Sequence, residues 1–223
     1  MKAELLSVYG DDLMVVNTAR VSMGKWHTEF DDVADRRLIN YLARENHFTP
    51  FCHPKATFRL HLPIFVARQW ERHRVGAVRG YDMYDQNEVS RRYVDDEPGF
   101  FHPTEWRSRP DGNIKQGSGE ALNDIGQDLC HEILTWAHKQ MLACYKDLLD
   151  IGVAPEQARM VLPQSMHTQW IETGSLAYWA RLCGLRIDAH AQREICDLAT
   201  QVAEQMASAF PVSWAALMEA HHV

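Results

Sequence analysis

The strongest constraint on this chain is an unbroken helical period past its midpoint. From about Glu120 to Asp150, the residues Leu122, Ile125, Leu129, Ile133, Ala137, Met141, Tyr145 and Leu148 step by three or four. Gly152 follows as a helix stop. His131 and His138 fall seven apart within this stretch, but no nearby Cys or third ligand completes a metal set, so no metal is expected.

Other segments add shorter elements. Residues 31–45 carry Val33, Leu38, Ile39, Leu42 and Ala43 at roughly helical spacing, with Asp31 or Asp32 able to cap the start. Ala56 to Leu62 alternates, with Phe58, Leu60 and Leu62 on one face and Thr57, Arg59 and His61 on the other, which reads as a half-buried strand. Residues 3–16 hold two apolar runs parted by Gly10-Asp11-Asp12, which fits two strands or a strand and a loop. Pro63 can open a helix reaching about Arg74, and at that pitch Gln69, Arg72 and His73 share one side. A short helix starts at Pro155, and another runs from Ser175 to a stop at Gly184. Asp188 stands where it could cap a last helix whose buried stripe is Ala191, Ile195, Leu198, Val202 and Met206. Residues 75–86 and 109–119, rich in Gly or Pro with polar residues, read as loops.

A chain of 223 residues, 46% hydrophobic and 24% charged, is long enough to bury a sizeable core. The formal net charge of −7 argues against a general nucleic-acid binder, which needs a basic face. No apolar run reaches membrane-spanning length, and the first residues lack a signal-peptide core. Cys52, Cys130, Cys144, Cys183 and Cys196 are scattered and form no CxxC pair, which suits reduced thiols in the cytoplasm.

Against this acidic background the cations cluster. Between Gln69 and Tyr93 stand Arg72, Arg74, Arg79, Arg91 and Arg92, with His73, Glu88 and Ser90 among them. Guanidinium forks beside hydroxyl and carboxylate acceptors suit a small anion carrying a flat ring, such as a nucleotide. An Arg-rich solvated surface is the plainer reading of the same residues. No GxSxG elbow and no GxGxxG fingerprint is present. Cys52-His53 is the one pair that suggests a thiol nucleophile.

The order RHR (72–74), NEVSRRY (87–93), EQARMVLP (156–163) and LRIDAHAQREI (185–195) resembles the flavin-dependent thymidylate synthases, over about residues 17–210. Three departures stand out. Fifteen residues separate Arg74 from Ser90 where that family has seven, Ala77 replaces a Ser, and Ser175 and Arg181 stand where many relatives have Asn.

The resemblance implies an α+β fold with a central, mostly antiparallel sheet flanked by long helices, in a single domain over 1–223. It implies an enzyme that carries FAD reduced by NADPH and uses methylenetetrahydrofolate to methylate dUMP to dTMP. By the same resemblance Gln69, Arg72, Glu88, Ser90, Arg91, Arg92, Arg159 and Arg186 contact dUMP. Arg186 is the catalytic group, stabilising negative charge on the pyrimidine. Thr49, Arg72, His73, Arg74, Glu88, Ser175, Arg181 and His190 contact FAD, with His47 and Ser22 nearby. A homotetramer is implied, with no nucleic-acid or membrane partner. Three alternatives stay open: a pyrimidine-nucleotide hydroxymethylase on the same scaffold, a non-catalytic nucleotide- or RNA-binding protein, and a Cys-dependent transferase.

Overall fold

The computed structural model describes residues 1–74, 84–93, 96–110, 117–188 and 190–221, leaving aside the side chains at 73, 74, 84, 85 and 221. The fold is α+β, with a four-stranded antiparallel sheet and several helices. The strands are β1 (Lys2–Tyr9), β2 (Lys55–Pro63), β3 (Tyr84–Glu88) and β4 (His167–Ser175), in the order β1-β2-β4-β3. The chain divides into two compact units. One comprises Met1–Leu60, Arg72–Asn87 and Trp170–Val223, and the other His61–Glu71 and Glu88–Gln169.

The first unit begins with β1 and then α1 (Asp12–Arg20). The run Leu13–Val16, expected as strand or loop, is helical. Asp11 decides this: its side chain accepts from the Met14 amide and caps the turn. Val15 and Val16 are both buried, which a half-buried strand cannot achieve at adjacent positions. Helix α2 (Ala34–Arg44) starts as expected, with Asp31 accepting from the amides of Val33 and Ala34. Its Val33, however, is exposed, because it precedes the first helical residue. In β2 the alternation holds: Ala56, Phe58, Leu60 and Leu62 are buried.

Helix α6 (Leu176–Arg186) packs its Trp179 at full burial, with the indole N–H on the carbonyls of Ala56 and Gly174. Gly174 is needed there, since a Cβ would lie 2.3 Å from Cδ1 of Tyr178. The helix runs through Gly184, which the sequence suggested as its stop. Helix α7 (Arg193–Ala209) buries Ile195, Leu198, Val202 and Met206, the expected stripe. Its flanking residue is Gln192 rather than Asp188, whose carboxylate accepts from the His190 amide instead.

Two features of this unit were not anticipated. A terminal helix α8 (Pro211–His221) receives its cap from Asp12, whose carboxylate accepts from the amides of Val212 and Ser213 at 2.9 Å each. The edge strand β1 is bonded by side chains of α7: Gln201 accepts from the Ala3 amide, and Gln205 bonds both the Leu5 amide and the Ala3 carbonyl. These bonds occupy edge groups at Ala3 and Leu5, which hinders pairing with another chain along that half of the strand.

The second unit holds α3 (Ile64–Trp70), α4 (Asp124–Asp150) and α5 (Pro155–Ala158). Helix α3 tightens into a three-residue-per-turn segment at Glu71–Arg74. The tight segment departs from the constant 3.6-residue pitch assumed for Gln69, Arg72 and His73, and the His73 side chain lies outside the described residues. Helix α4 is capped by Asn123 and ends at Gly152, which adopts φ +96 where a side chain would be strained. Its stripe behaves differently from a core stripe. Ile125, Leu129, Ile133 and Trp136 are exposed, while the buried residues are His138 and Tyr145. His138 contacts the Ser165 hydroxyl at 2.7 Å and His102 at 3.3 Å, and its ring stacks on Phe100.

Candidate functional site

In the second unit the candidate groups gather at the end of β3. Glu88 is its last residue, and the Val89 amide continues the ladder to the Gln169 carbonyl at 2.9 Å. That register sets Thr168 of β4 beside Glu88, and the Thr168 hydroxyl donates to Glu88 Oε1 at 2.5 Å. A turn follows, closed by the Tyr93 amide on the Ser90 carbonyl. Inside it, Ser90 Oγ accepts from both the backbone amide and Nε of Arg92 at 3.3 Å. The Arg92 guanidinium lies 5.1 Å over the Tyr93 ring and is exposed. Ser90 and Arg92 are thus brought together just beyond Glu88 in the chain. Arg91 is engaged elsewhere: its guanidinium bonds the carbonyl and carboxylate of Asp96, and its side chain is 13% exposed.

Arg159 stands exposed in the turn Arg159–Val161 after α5, with Nε donating to the Glu156 carbonyl at 3.2 Å. Gln69 is half-buried near the end of α3.

In the first unit Arg72 is exposed in its tight turn, and Thr49 is exposed at the start of the turn Thr49–Cys52. His47 is exposed and meets Tyr41 edge-on. Arg186 is the last residue of α6, not part of a free connection, and partial burial lowers its pKa from the usual guanidinium range. Arg181 is exposed on the same helix. Ser175 is fully buried, and its hydroxyl caps α6 by accepting from the Tyr178 amide. His190 is exposed and its ring contacts Asp188 at 3.0 Å. Ser22 bonds the Ala19 carbonyl, as a local turn residue does. The side chains of His73 and Arg74, and residues 75–83 of the expected insertion, lie outside the described residues.

Cys52 donates to the Phe48 carbonyl, and burial pushes its thiol pKa up, opposite to what a nucleophile needs. Among the described residues no three His, Cys, Asp or Glu side chains form a metal site, and no helix is long and apolar enough to cross a membrane. A groove of about 660 Å³ runs along α2, lined by Arg36, Arg37, Asn40, Tyr41 and Arg44 among others. It contains none of the residues implied by the resemblance.

Thr168 was missed by sequence reasoning because β4 was missed. Its buried face reads Thr168, Trp170, Glu172, Gly174, so the alternation is invisible to a hydrophobicity pattern. Glu172 is buried there with the Trp170 indole N–H and the Tyr178 hydroxyl donating to it.

The fold and these groups define a class: an α+β protein presenting guanidinium donors, a hydroxyl and a carboxylate acceptor on strand ends and tight turns. The family model described as Thymidylate synthase complementing protein matches residues 4–212. A flavin-dependent thymidylate synthase of Kosmotoga olearia is 37% identical over 218 residues, covering 96% of this chain and 88% of the relative. One from Treponema denticola is also 37% identical, over 95% of this chain and 76% of the relative. The solved structure of PolB from Streptomyces cacaoi, a UMP/dUMP methylase bound with 5-Br UMP, superposes with a TM-score of 0.84 at 29% identity. That match covers 100% of this chain and 95% of PolB. The complex with 5-Br dUMP gives 0.83 at 30% identity, over 98% and 94%. The chain belongs to the flavin-dependent thymidylate synthase family, a family of enzymes.

Proposed function

We propose that this enzyme methylates dUMP to dTMP, with methylenetetrahydrofolate as one-carbon donor and NADPH as reductant, through bound FAD. The observation that carries the reading is the turn after β3, where Arg92 bonds Ser90 just beyond a Glu88 held by Thr168 on the backbone register that β4 sets. Its chemistry fits both ligands. Guanidiniums at Arg72 and Arg92 are exposed and suit phosphate, and the exposed Glu88 carboxylate suits the imide N–H of a uracil or a flavin.

Bound FAD would supply hydride transfer. The rest falls to the chain. Arg72, Ser90, Arg92 and Arg159 hold the dUMP phosphate by charge-assisted bonds. Gln69 and Glu88 orient the base. Arg91 serves dUMP indirectly, by fixing the turn through Asp96. Arg186 stabilises negative charge as the pyrimidine N3 ionises, which enriches C5 for attack on the one-carbon unit; the C5 proton then leaves. Thr49, His73, Arg74, Arg181 and His190, with Arg72 and Glu88, hold FAD, and Ser175 supports it from the cap of α6.

The exposed apolar face of α4, with Ile125, Leu129, Ile133 and Trp136, supports a homotetramer in which residues 1–223 of each chain act as one catalytic domain. A cytoplasmic setting and small-molecule rather than nucleic-acid partners complete the proposal.

The test is a visible spectrum of the purified protein, followed by an anaerobic assay with methylenetetrahydrofolate, NADPH and either dUMP or UMP, with products weighed by mass spectrometry. Flavin bands and a methylated product are expected. A hydroxymethylated product transfers the reading to the sister chemistry, and a colourless, inactive protein overturns it.

A further inference from the structure

We propose that Thr168 is a positioning residue, holding the Glu88 carboxylate ready for the nucleotide; this rests on the reading of Glu88 given above. Thr168 is 4% exposed on β4, and its hydroxyl donates to Glu88 Oε1 at 2.5 Å. Among the described residues no other hydrogen-bond partner reaches the Glu88 side chain. The bond between the Val89 amide and the Gln169 carbonyl locks the register that sets 168 beside 88.

Glutamate has three side-chain torsions, and an exposed one samples many rotamers. A β-branched threonine in a strand is stiff at χ1, so its hydroxyl is a fixed donor. Donation to one carboxylate oxygen restricts the rotamer before any ligand arrives, which lowers the ordering cost of binding. The other oxygen is left to accept a ligand N–H. The nearby Ser90 hydroxyl accepts twice from Arg92, and among the described residues it makes no bond to Glu88.

The experiment measures the dUMP dissociation constant by calorimetry on flavin-loaded protein, independently of turnover. Thr168→Val deletes the hydroxyl and keeps the β-branch; it is expected to weaken dUMP binding about tenfold, the scale of one hydrogen bond to a charged group. Thr168→Ser restores binding. In a Glu88→Ala background Thr168→Val adds nothing further, since the two residues act as one unit. Thermal melting certifies the fold, and if Thr168→Val fails to fold, Thr168→Ala carries the same expectation. Equal losses in both backgrounds, or no loss at all, overturn the positioning role while leaving Glu88 as a ligand contact. A silent Glu88→Ala overturns the reading of Glu88 and Thr168 together.

Discussion

Cys52 and Arg186 show how burial sets the chemistry of single residues. The Cys52 thiol is half-buried and its pKa is raised by burial, an effect opposed by a hydrogen bond from Ser175. A thiol kept protonated is a poor nucleophile. Cys52→Ala is therefore expected to retain turnover within about twofold, and steady-state assays check this; abolished turnover with a wild-type melting curve would revive a thiol mechanism. Arg186 also has its pKa lowered by burial, yet a guanidinium stays cationic across the physiological range. In the proposed mechanism, partial burial strengthens its field on the pyrimidine. Arg186→Ala is expected to reduce kcat by at least about a hundredfold, the scale of losing one charge-stabilising donor. Flavin absorbance should remain, which separates this loss from a failure to bind the cofactor. Arg186→Lys should rescue little, because an ammonium does not reproduce the planar fork.

At the scale of elements, the bond from Asp12 to α8 is a cap borrowed from the opposite end of the chain. Asp12→Ala leaves two amides in the first turn of α8 without an acceptor and is expected to cost about 2 kcal/mol. Asp12→Asn keeps an acceptor and should lose less. Denaturant melts with hydrogen exchange over 211–221 measure both. Such long-range caps explain what the sequence concealed. Phe58, Leu60 and Leu62 announced β2, and Ile195 to Met206 announced α7, because apolar period and burial coincide there. Strand β4 was hidden because its buried face carries two polar groups, Thr168, satisfied by the sequence-distant Glu88, and Glu172, satisfied by Trp170 and Tyr178. Asp188 satisfied every local rule for a cap, but its carboxylate turned to the His190 amide, and the helix began four residues later than a cap there would set. The candidate site was legible as residue types and order. The bond from Arg91 to Asp96 and the cap role of Ser175 were not, since both depend on where neighbouring backbone turns.

At the scale of the whole molecule, acid should act on the second compact unit through its histidines. The second contains His61 stacked on His167, and His138 contacting His102; of these His61, His138 and His167 are at least partly shielded from water. Burial lowers the pKa values of His61 and His138, and that of His167 to about 4. An unfolded histidine titrates near 6.5, so between about 6.5 and 4 the unfolded chain binds more protons than the folded one. Stability is then fully present above that window, falls as the pH drops through it, and loses nothing more from His167 below it. Urea midpoints measured from pH 7 to pH 4.5 should decline, and His167→Phe should flatten the slope; an unchanged slope would assign the acid sensitivity elsewhere.

The glutamines that cover β1 have a consequence for biosynthesis. Residues 3–5 leave the ribosome about two hundred positions ahead of Gln201 and Gln205. Throughout that interval the growing polypeptide carries an unshielded strand margin, open to neighbouring nascent chains on the same message. Premature termination before Gln201 would leave that margin permanently bare, so truncated products of this gene should precipitate or recruit chaperones far more readily than chains that include both glutamines.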